Sequence, residues 1–192
     1  MSNTIYMMEA ANLFCGDADP TASNHLTLQS LKLPAMEDAF TDHNAGGARV
    51  GIEVDTHVSR LESTFALAGW SPQVMTLIGR WSAENQRFTA YGVIRDRRTG
   101  QAMRATAIMW GRLGRVNPTE FRRGDMQSHE YSIRGITHYE LVMGQTRIFT
   151  WDFFDNTDIV GETDLNAEIN QILSIQGFTD AARTDTGGQF RV

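Results

Sequence analysis

The stretch HEYSIRGITHYEL, residues 129–141, alternates between apolar and polar side chains. In an extended chain Tyr131, Ile133, Tyr139 and Leu141 fall on one face, and the polar side chains between them fall on the other. A period of two residues is typical of a β-strand with one buried face, because successive side chains of a strand point to opposite sides. The stretch therefore predicts a strand in an antiparallel sheet that has one apolar side.

Strand-like segments continue on both sides of this stretch. After it, MGQT turns the chain into RIFTWDFF, residues 147–154. Before it, residues 87–95 and 101–112 flank the short turn RDRRTG, in which Gly100 is placed to take a positive φ. Two hairpins built in this way predict an all-β fold, mainly antiparallel, arranged as a β-sandwich or half-barrel.

Residues 33–51, LPAMEDAFTDHNAGGARVG, separate two other strand patterns. A hairpin turn needs about two to five residues, and a structureless loop of this length is uncommon in a compact domain unless it has a function. The strand pattern after the loop starts at Ile52 and changes phase near Arg60, which predicts one continuous strand with a bulge or a bend. The loop and its two strands are therefore expected to form a long, curved hairpin with a functional loop.

One or two short helices are expected beside the sheet. Ser71 and Pro72 provide an N-cap and a first turn for a helix whose apolar stripe reaches Trp81. Thr163 provides a cap for a second helix, which is predicted to end at Gly177 because glycine is common just past helix C-termini.

The composition is that of an ordinary globular protein, with 192 residues of which 41% are hydrophobic and 21% charged. No apolar run approaches the roughly 20 residues of a membrane span, and the N-terminal sequence lacks the basic start and apolar block of a secretory signal. Synthesis in a cytoplasm is therefore expected. Residues 1–178 are predicted to form a single domain, followed by a polar C-terminal tail over residues 179–192.

Charge is segregated along the chain. Residues 1–62 carry nine acids and three basic residues, residues 63–126 carry four acids and ten arginines, and residues 127–192 carry ten acids and four arginines. Sixteen of the 17 basic residues are arginine, whose planar guanidinium suits ion pairs at interfaces, although a compositional bias towards arginine gives the same count. Opposite charge blocks on one chain indicate a surface that docks onto copies of itself, its basic side being formed by Arg95, Arg97, Arg98, Arg104, Arg112 and Arg115.

The sequence contains none of the short motifs that mark common catalytic or cofactor sites. It lacks a phosphate-binding loop, a dinucleotide fingerprint, HExxH and a Gly-x-Ser-x-Gly elbow, so neither an enzyme nor a cofactor is predicted. His129 and His138 are nine residues apart on one strand and point to opposite faces, which opposes a shared metal site. Asp152, Asp155 and Asp158 are interpreted as solvated loop residues. The single cysteine, Cys15, is either a half-buried thiol or a partner for a cysteine of a second chain.

Two binding functions compete with self-assembly on the residues alone. The aromatic row Phe149, Trp151 and Phe153 fits a monomeric β-sandwich that binds carbohydrate. The arginine-rich hairpin fits a β-ribbon that enters a DNA major groove, although the acidic residues on both sides of it in the chain would repel phosphate.

The order of features along residues 5–175 resembles the major tail tube protein of contractile-tailed bacteriophages, the type that also builds phage-like bacteriocin tubes. The matching segments are AANLFCGD, the strand–loop–strand segment that contains LPAMEDAFTDHNAGGARVG, the short helix SPQVMTLIGRW, the hairpin VIRDRRTGQAMRATAIMWGRL, and the closing strands FRRGDMQSHEYSIRGITHYELVMGQTRIFTWDFFDN. No single motif is specific, and the ordered set carries the resemblance. The chain after Gly177 and the aromatic closing strand depart from the family pattern.

The resemblance implies a structural protein of the phage tail-tube fold. Six copies would form a ring, rings would stack into a tube through which DNA passes without specific binding, and the segment between the first two long strands would project towards the next ring. Met36 and Phe40 would be the apolar contacts of that segment, Glu37, Asp38 and Asp42 would meet arginines of the next subunit, and Gly46 and Gly47 would allow the return bend before Arg49.

The same resemblance implies where the protein works and with what. Lumen candidates are Glu53, Asp55, Glu130, Arg134 and Glu140, because acidic and polar side chains keep a duplex sliding. The expected partners are further copies of the chain, the tail sheath protein, a tape measure protein in the lumen, and the baseplate and tail terminator proteins. The expected place is the virion tail, assembled in the cytoplasm of a bacterial host.

Overall fold

The strand predicted over residues 129–141 is the centre of the sheet. The computed structural model describes residues 4–16, 22–44, 46–47, 49–79 and 85–175. The elements within them are the strands β1 (Tyr6–Cys15), β2 (Leu28–Lys32), β3 (Asp38–His43), β4 (Ile52–Val58), β5 (Ser63–Ala68), β6 (Gln86–Asp96), β7 (Ala102–Asn117), β8 (Ser128–Met143), β9 (Thr146–Asp152), β10 (Thr157–Val160) and β11 (Thr163–Asp164), and the helices α1 (Pro72–Thr76) and α2 (Ala167–Ile172). The all-β prediction is confirmed.

Strand β8 holds the sheet together because its two halves have different neighbours on one edge. Residues 128–133 pair with β5, residues 138–143 pair with β9, and β7 lies along the opposite edge of both halves. The sheet runs β1-β6-β7-β8-β9-β10-β11, with β5 and then β2 branching from the first half of β8, and every pair is antiparallel. The predicted turns are confirmed at Gly100 and Gly144, with φ of 74° and 63°.

The sheet curls at irregularities in β7 and β8. The register of β7 slips between Trp110 and Arg112, opposite Gly135, whose φ is 58°. It slips again between Leu113 and Arg115. Such bulges bend the strand and increase its twist. The curl brings β2 back towards β1, where the Asn24 backbone N–H donates to the Leu13 carbonyl at 3.3 Å. The strands β1-β6-β7-β8-β5-β2 thus form the half-barrel that the sequence predicted.

The core lies on the concave side of the half-barrel. Phe65 and Tyr131 stack at its centre with ring centroids 5.0 Å apart and planes 10° apart. Each such side chain contributes about 1.5–3 kcal/mol when it leaves water. The buried apolar side chains come from six strands, the 59–62 segment and α1: Leu13, Cys15, Leu61, Phe65, Leu67, Val74, Phe88, Ala90, Ala107, Met109, Leu113, Tyr131, Ile133, Ile136, Tyr139 and Phe149.

The long hairpin is present, but its second side is not the continuous strand that was predicted. The chain leaves the sheet over residues 33–37 and 59–62, so the body contains β2 and β5, while β3 and β4 pair with each other and with no other strand of the described residues. Pro34 is buried at the first break and cannot donate to a ladder, and Leu61 turns into the core at the second. Six of the 19 residues of the predicted loop form strand β3. We call β3, β4 and the residues between them the arm.

Both helices are shorter than predicted. Helix α1 is little more than one turn, and only Val74 is buried; Trp81 lies outside the described residues. Helix α2 starts at Ala167, because Thr163 pairs with Val160 as part of β11 instead of capping a helix. The predicted helix end at Gly177 and the predicted tail at 179–192 also lie outside the described residues. No helix within the described residues is long and apolar enough to cross a membrane.

Candidate assembly surfaces

The arm has two different faces. Directly paired residues of an antiparallel hairpin share a face, and the pairs Phe40–Asp55 and Asp42–Glu53 therefore lie together. We call Phe40, Asp42, Glu53 and Asp55 the acidic face. The pairs Thr41–Val54 and His43–Ile52 form the neutral face on the opposite side. The irregularity between Ala39 and Phe40, where Thr56 is the extra residue of β4, sets this division.

The arm is an element that its own chain leaves exposed. Its described side chains are exposed apart from the half-buried Ala39 and Val58 at its base, and Phe40 keeps 58% of its surface in solvent. Asp42 and Glu53 are directly opposite each other, and like charges in that position destabilise a hairpin. Two-stranded hairpins are only marginally stable alone. An exposed arm with an unfavourable charge pair has the properties of an element that is completed by a partner.

The other predicted loop residues lie around the arm. Met36 is 45% exposed in the segment before β3, Glu37 accepts a hydrogen bond from the Ser59 backbone N–H at 2.7 Å through its carbonyl, and Gly46 and Gly47 lie in the turn. Asp38 is the first residue of β3 and lies near Asp158 of β10. The pKa of Asp158 is raised, mainly by burial and further by the charges of Asp164 and Asp38. Arg49 is exposed between turn and β4.

An open seam runs between β1 and β2. Among the residues that the structure describes, each of these strands has a ladder partner on one edge only, β6 for β1 and β5 for β2, apart from the isolated bridge between Phe14 and Ser23. The two strands diverge from that bridge and leave a cleft of about 520 Å³, which we call the seam cleft. Its β2 side is lined by Leu28, Leu31 and Leu33.

The floor of the seam cleft is made of small apolar side chains. The residues there are Ala11, Ala90, Gly92, Ala105 and Ala107, with Leu141 beyond them, and the Met8 side chain lies over Gly92. Side chains this small cannot fill the concave side of the sheet, which explains why the half-barrel is packed at one end and open at the other. Sequence reasoning missed this cleft; the signal was the run of alanine and glycine at inward positions of β6 and β7.

Three of the predicted arginines contact residues that line this cleft, and we call Arg95, Arg97 and Arg104 the rim arginines. Arg98 lies in the adjoining turn between β6 and β7. Arg95 donates to the Glu9 carboxylate at 2.8 and 2.9 Å, and Arg97 lies 3.9 Å from the same group and contacts the Met7 sulfur. Arg104 stacks on the Tyr91 ring at 4.0 Å. Two guanidinium groups thus share one carboxylate over β1, which leaves the rim positive.

Arg112 and Arg115 belong to a different surface. Arg112 lies eight residues beyond Arg104 along β7, which is roughly 26 Å at 3.3 Å per residue. It pairs in register with Arg134, whose guanidinium binds Glu62 at 3.0 Å. The six predicted arginines therefore do not form one basic surface, because the length of β7 separates them into two groups.

The lumen candidates also lie on three surfaces. Glu53 and Asp55 belong to the arm. Glu130 and Arg134 lie on the convex side of the half-barrel, in the same region as Arg112, Arg115 and Glu62. Glu140 lies in the second half of β8 and is 3.6 Å from Arg147. The convex region around Glu130 carries both acidic and basic side chains, so it is not uniformly acidic.

The geometry opposes the two competing functions, carbohydrate binding and DNA binding. Phe149 is buried and Trp151 packs against the core, while Phe153 lies beyond the end of β9 and is 65% exposed, so these three residues do not form the exposed row that was predicted. Phe153 instead contacts Phe154, with ring centroids 5.4 Å apart. The DNA-ribbon hypothesis needs a continuous basic ribbon, and the rim arginines are separated from Arg112 and Arg115.

The polar residues singled out for chemistry are structural. Asp152 is not a solvated loop residue: it is buried, its carboxylate lies 2.8 Å from His138 Nδ1, and it accepts from the backbone N–H groups of Phe154 and Asp155. His129 is buried beneath Trp70, with ring centroids 4.4 Å apart. No group of three His, Cys, Asp or Glu side chains within the described residues is arranged to hold a metal ion.

Cys15 is a buried thiol. Its side chain belongs to the core, and burial raises its pKa to about 12. The thiolate is the reactive form of cysteine. Burial and protonation therefore both oppose a disulfide with a second chain, and they favour the alternative of a packed thiol.

The chain thus has an exposed arm, an open seam and an all-β body, and sequence comparison identifies its family. The family model described as "Phage tail tube protein FII" matches residues 11–173. The chain belongs to this tail tube family. Its structural role in a tail tube, and hence its place in a phage tail or a related particle, follow from that membership. No curated protein matches the sequence.

One solved structure agrees with the fold of this tail tube protein, and two weaker matches accompany it. The protein matches a chain of the PVC sheath–tube complex of an extracellular contractile injection system in the extended state, with a TM-score of 0.50 and 9% identity over 70% of this chain and 87% of that one. A chain of the sheath/tube terminator of the same system matches with a TM-score of 0.48 and 10% identity, over 70% and 92% of the two chains. A chain of the anti-feeding prophage baseplate matches with 0.46 and 12%, over 76% and 96%.

Proposed function

We propose that this protein assembles into hexameric rings that stack into a hollow tube, through which phage DNA passes into a host. The observation that carries the proposal is the arm of a tail tube family member, formed yet unsupported by its own body. Free strand edges at β1, β2 and the arm supply the surfaces. Unpaired edges are hazards for a monomer, and closure into a larger barrel removes them.

The arm makes the contact between successive rings in this proposal. Phe40 and Met36 become buried against the next subunit, and Glu37, Asp38 and Asp42 find arginine partners there. A head-to-tail arrangement requires complementary patches, and the acidic arm and the arginine-rich body of one chain provide them. Gly46, Gly47 and Arg49 belong to the turn region that ends the projection.

The convex side of the half-barrel around Glu130 and Arg134 lines the lumen in this proposal. The region is polar, and its small side chains include Ser30, Thr64 and Ser132. Because Arg134 is ion-paired with Glu62, its guanidinium binds DNA phosphates less readily. The tape measure protein occupies this lumen during assembly, the sheath surrounds the tube, and the baseplate and terminator proteins bind its two ends. Assembly takes place in the host cytoplasm, and the protein carries no catalytic activity or cofactor.

Electron microscopy of the purified protein tests this function. We expect rings or tubes of uniform diameter that form above a threshold protein concentration, with six-fold symmetry in end views. A chain that stays monomeric at the highest soluble concentration contradicts the proposal. A gel-shift assay addresses the conduit separately: assembled protein that retains DNA tightly at physiological salt contradicts free passage.

A further inference from the structure

We propose that the seam cleft is the receptor for the arm of a second copy, and this inference rests on the proposed function. The arm enters between β1 and β2, its neutral face on the small-residue floor and its acidic face towards the rim arginines. The occupant is thus a two-stranded element of the same chain, which adds to free strand edges. Each subunit is both donor of an arm and acceptor of one.

The apolar sides match. The neutral face presents Ile52 and Val54, which are 60% and 41% exposed, together with Thr41 and His43. The floor of the seam cleft offers alanine and glycine, beside a β2 side of three leucines. Medium-sized β-branched side chains on one surface and a smooth trough on the other are complementary in size, whereas two bulky surfaces would collide.

The charged sides match in the same orientation. A strand placed along the free edge of β1 continues the β1–β6 sheet, so its outward side chains lie beside those of Glu9 and Arg95. Arg95 and Arg97 reach over β1 towards that edge and share the single carboxylate of Glu9. Asp42, Glu53 and Asp55 supply the missing negative charge, and the arginines relieve the repulsion between Asp42 and Glu53.

A second copy is favoured over the chain's own arm. The arm is already folded as a hairpin in the structure while the seam cleft of the same chain stays open. The arm also begins next to the cleft, since Leu33 lines it and β3 starts at Asp38. Insertion into its own seam would need a sharp reversal within the segment 34–37 and would break the hydrogen bond from Ser59 to Glu37.

Photo-cross-linking of assembled protein tests the receptor. A benzophenone amino acid replaces Val54 on the neutral face, and the protein is mixed with an isotope-labelled copy before assembly and irradiation. We expect cross-links between copies to residues 8–11 or 28–33. The matched control carries the probe at Phe121, an exposed loop residue, and is expected to give none to those segments.

A blocking variant provides a second measurement. Ala10 is exposed at the mouth of the cleft, so Ala10→Trp narrows it without entering the core. We expect at least a tenfold rise in the protein concentration needed for assembly, against less than twofold for Thr146→Trp, an exposed position at the start of β9. If wild-type protein assembles but Val54 cross-links elsewhere, or Ala10→Trp assembles like wild type, the receptor is refuted and the tube remains. Failure of the wild type to assemble refutes both.

Discussion

Replacing Glu53 by lysine should move the free chain and the assembled protein in opposite directions. In the free chain the lysine faces Asp42 across the hairpin, so a repulsive pair becomes an attractive one. Two exposed unit charges about 6 Å apart in water interact by roughly 0.7 kcal/mol, and screening over a Debye length of about 8 Å reduces this to about 0.3 kcal/mol. Reversing the sign therefore stabilises the arm by about 0.6–1.4 kcal/mol.

The same change should weaken assembly, because the acidic face then carries a cation towards arginines of the next subunit. Losing an attraction of about 0.2–1 kcal/mol and gaining a repulsion of similar size costs about 0.4–2 kcal/mol per arm. That corresponds to an assembly threshold raised by about two- to thirtyfold.

Two measurements separate these effects. Hydrogen exchange of the arm amides below the assembly threshold should slow by about three- to tenfold in Glu53→Lys. Sedimentation over a concentration series should show the raised threshold, and both differences should shrink in 0.5 M salt because exposed charges are screened. Glu120→Lys is the control, since it makes the same charge change in a loop, where Glu120 pairs with the nearby Arg122 at 3.5 Å. A variant that assembles at the wild-type threshold or below it would refute the role of the acidic face.

Three further outcomes are expected. The double change Met36→Ser and Phe40→Ser should raise the assembly threshold and leave the β-sheet circular dichroism unchanged; tubes that form normally would contradict the contact role of these side chains. Phe65→Ala removes a stacked ring that is 2% exposed and should destabilise the free chain by about 3–5 kcal/mol in urea unfolding, whereas Phe121→Ala should change it by less than about 0.5 kcal/mol. The pKa of Cys15 is raised from 9.0 to about 12 because the thiol is buried, so the folded chain holds this proton more tightly than the unfolded chain. Stability should therefore fall as pH rises from 9 towards 12. A Cys15→Ala chain that loses as much stability over this range would contradict the assignment.

The sequence by itself determined the strands of two hairpins. Alternation along residues 129–141 gave β8, and the turn glycines Gly100 and Gly144 gave the β6–β7 and β8–β9 hairpins with ends within two residues, except that β7 continues to Asn117. These features are local, because the two-residue period follows from the geometry of an extended chain and a positive φ is tolerated mainly by glycine. The exposure of Met36 and Phe40 was likewise readable, since an apolar residue in a long polar segment has no local partner.

Only the tertiary structure decided how those strands are used. The division of the six arginines depends on how far β7 extends past its hairpin, and the two faces of the arm depend on a one-residue slip between Ala39 and Phe40. The residues next to Asp152 in the sequence predicted a solvated loop. Asp152 is buried because the pairing of β8 with β9 places His138 beside it. The seam arises because the sheet curls without closing. Register, curl and pairing are set by contacts between segments far apart in the chain, and no local pattern encodes them.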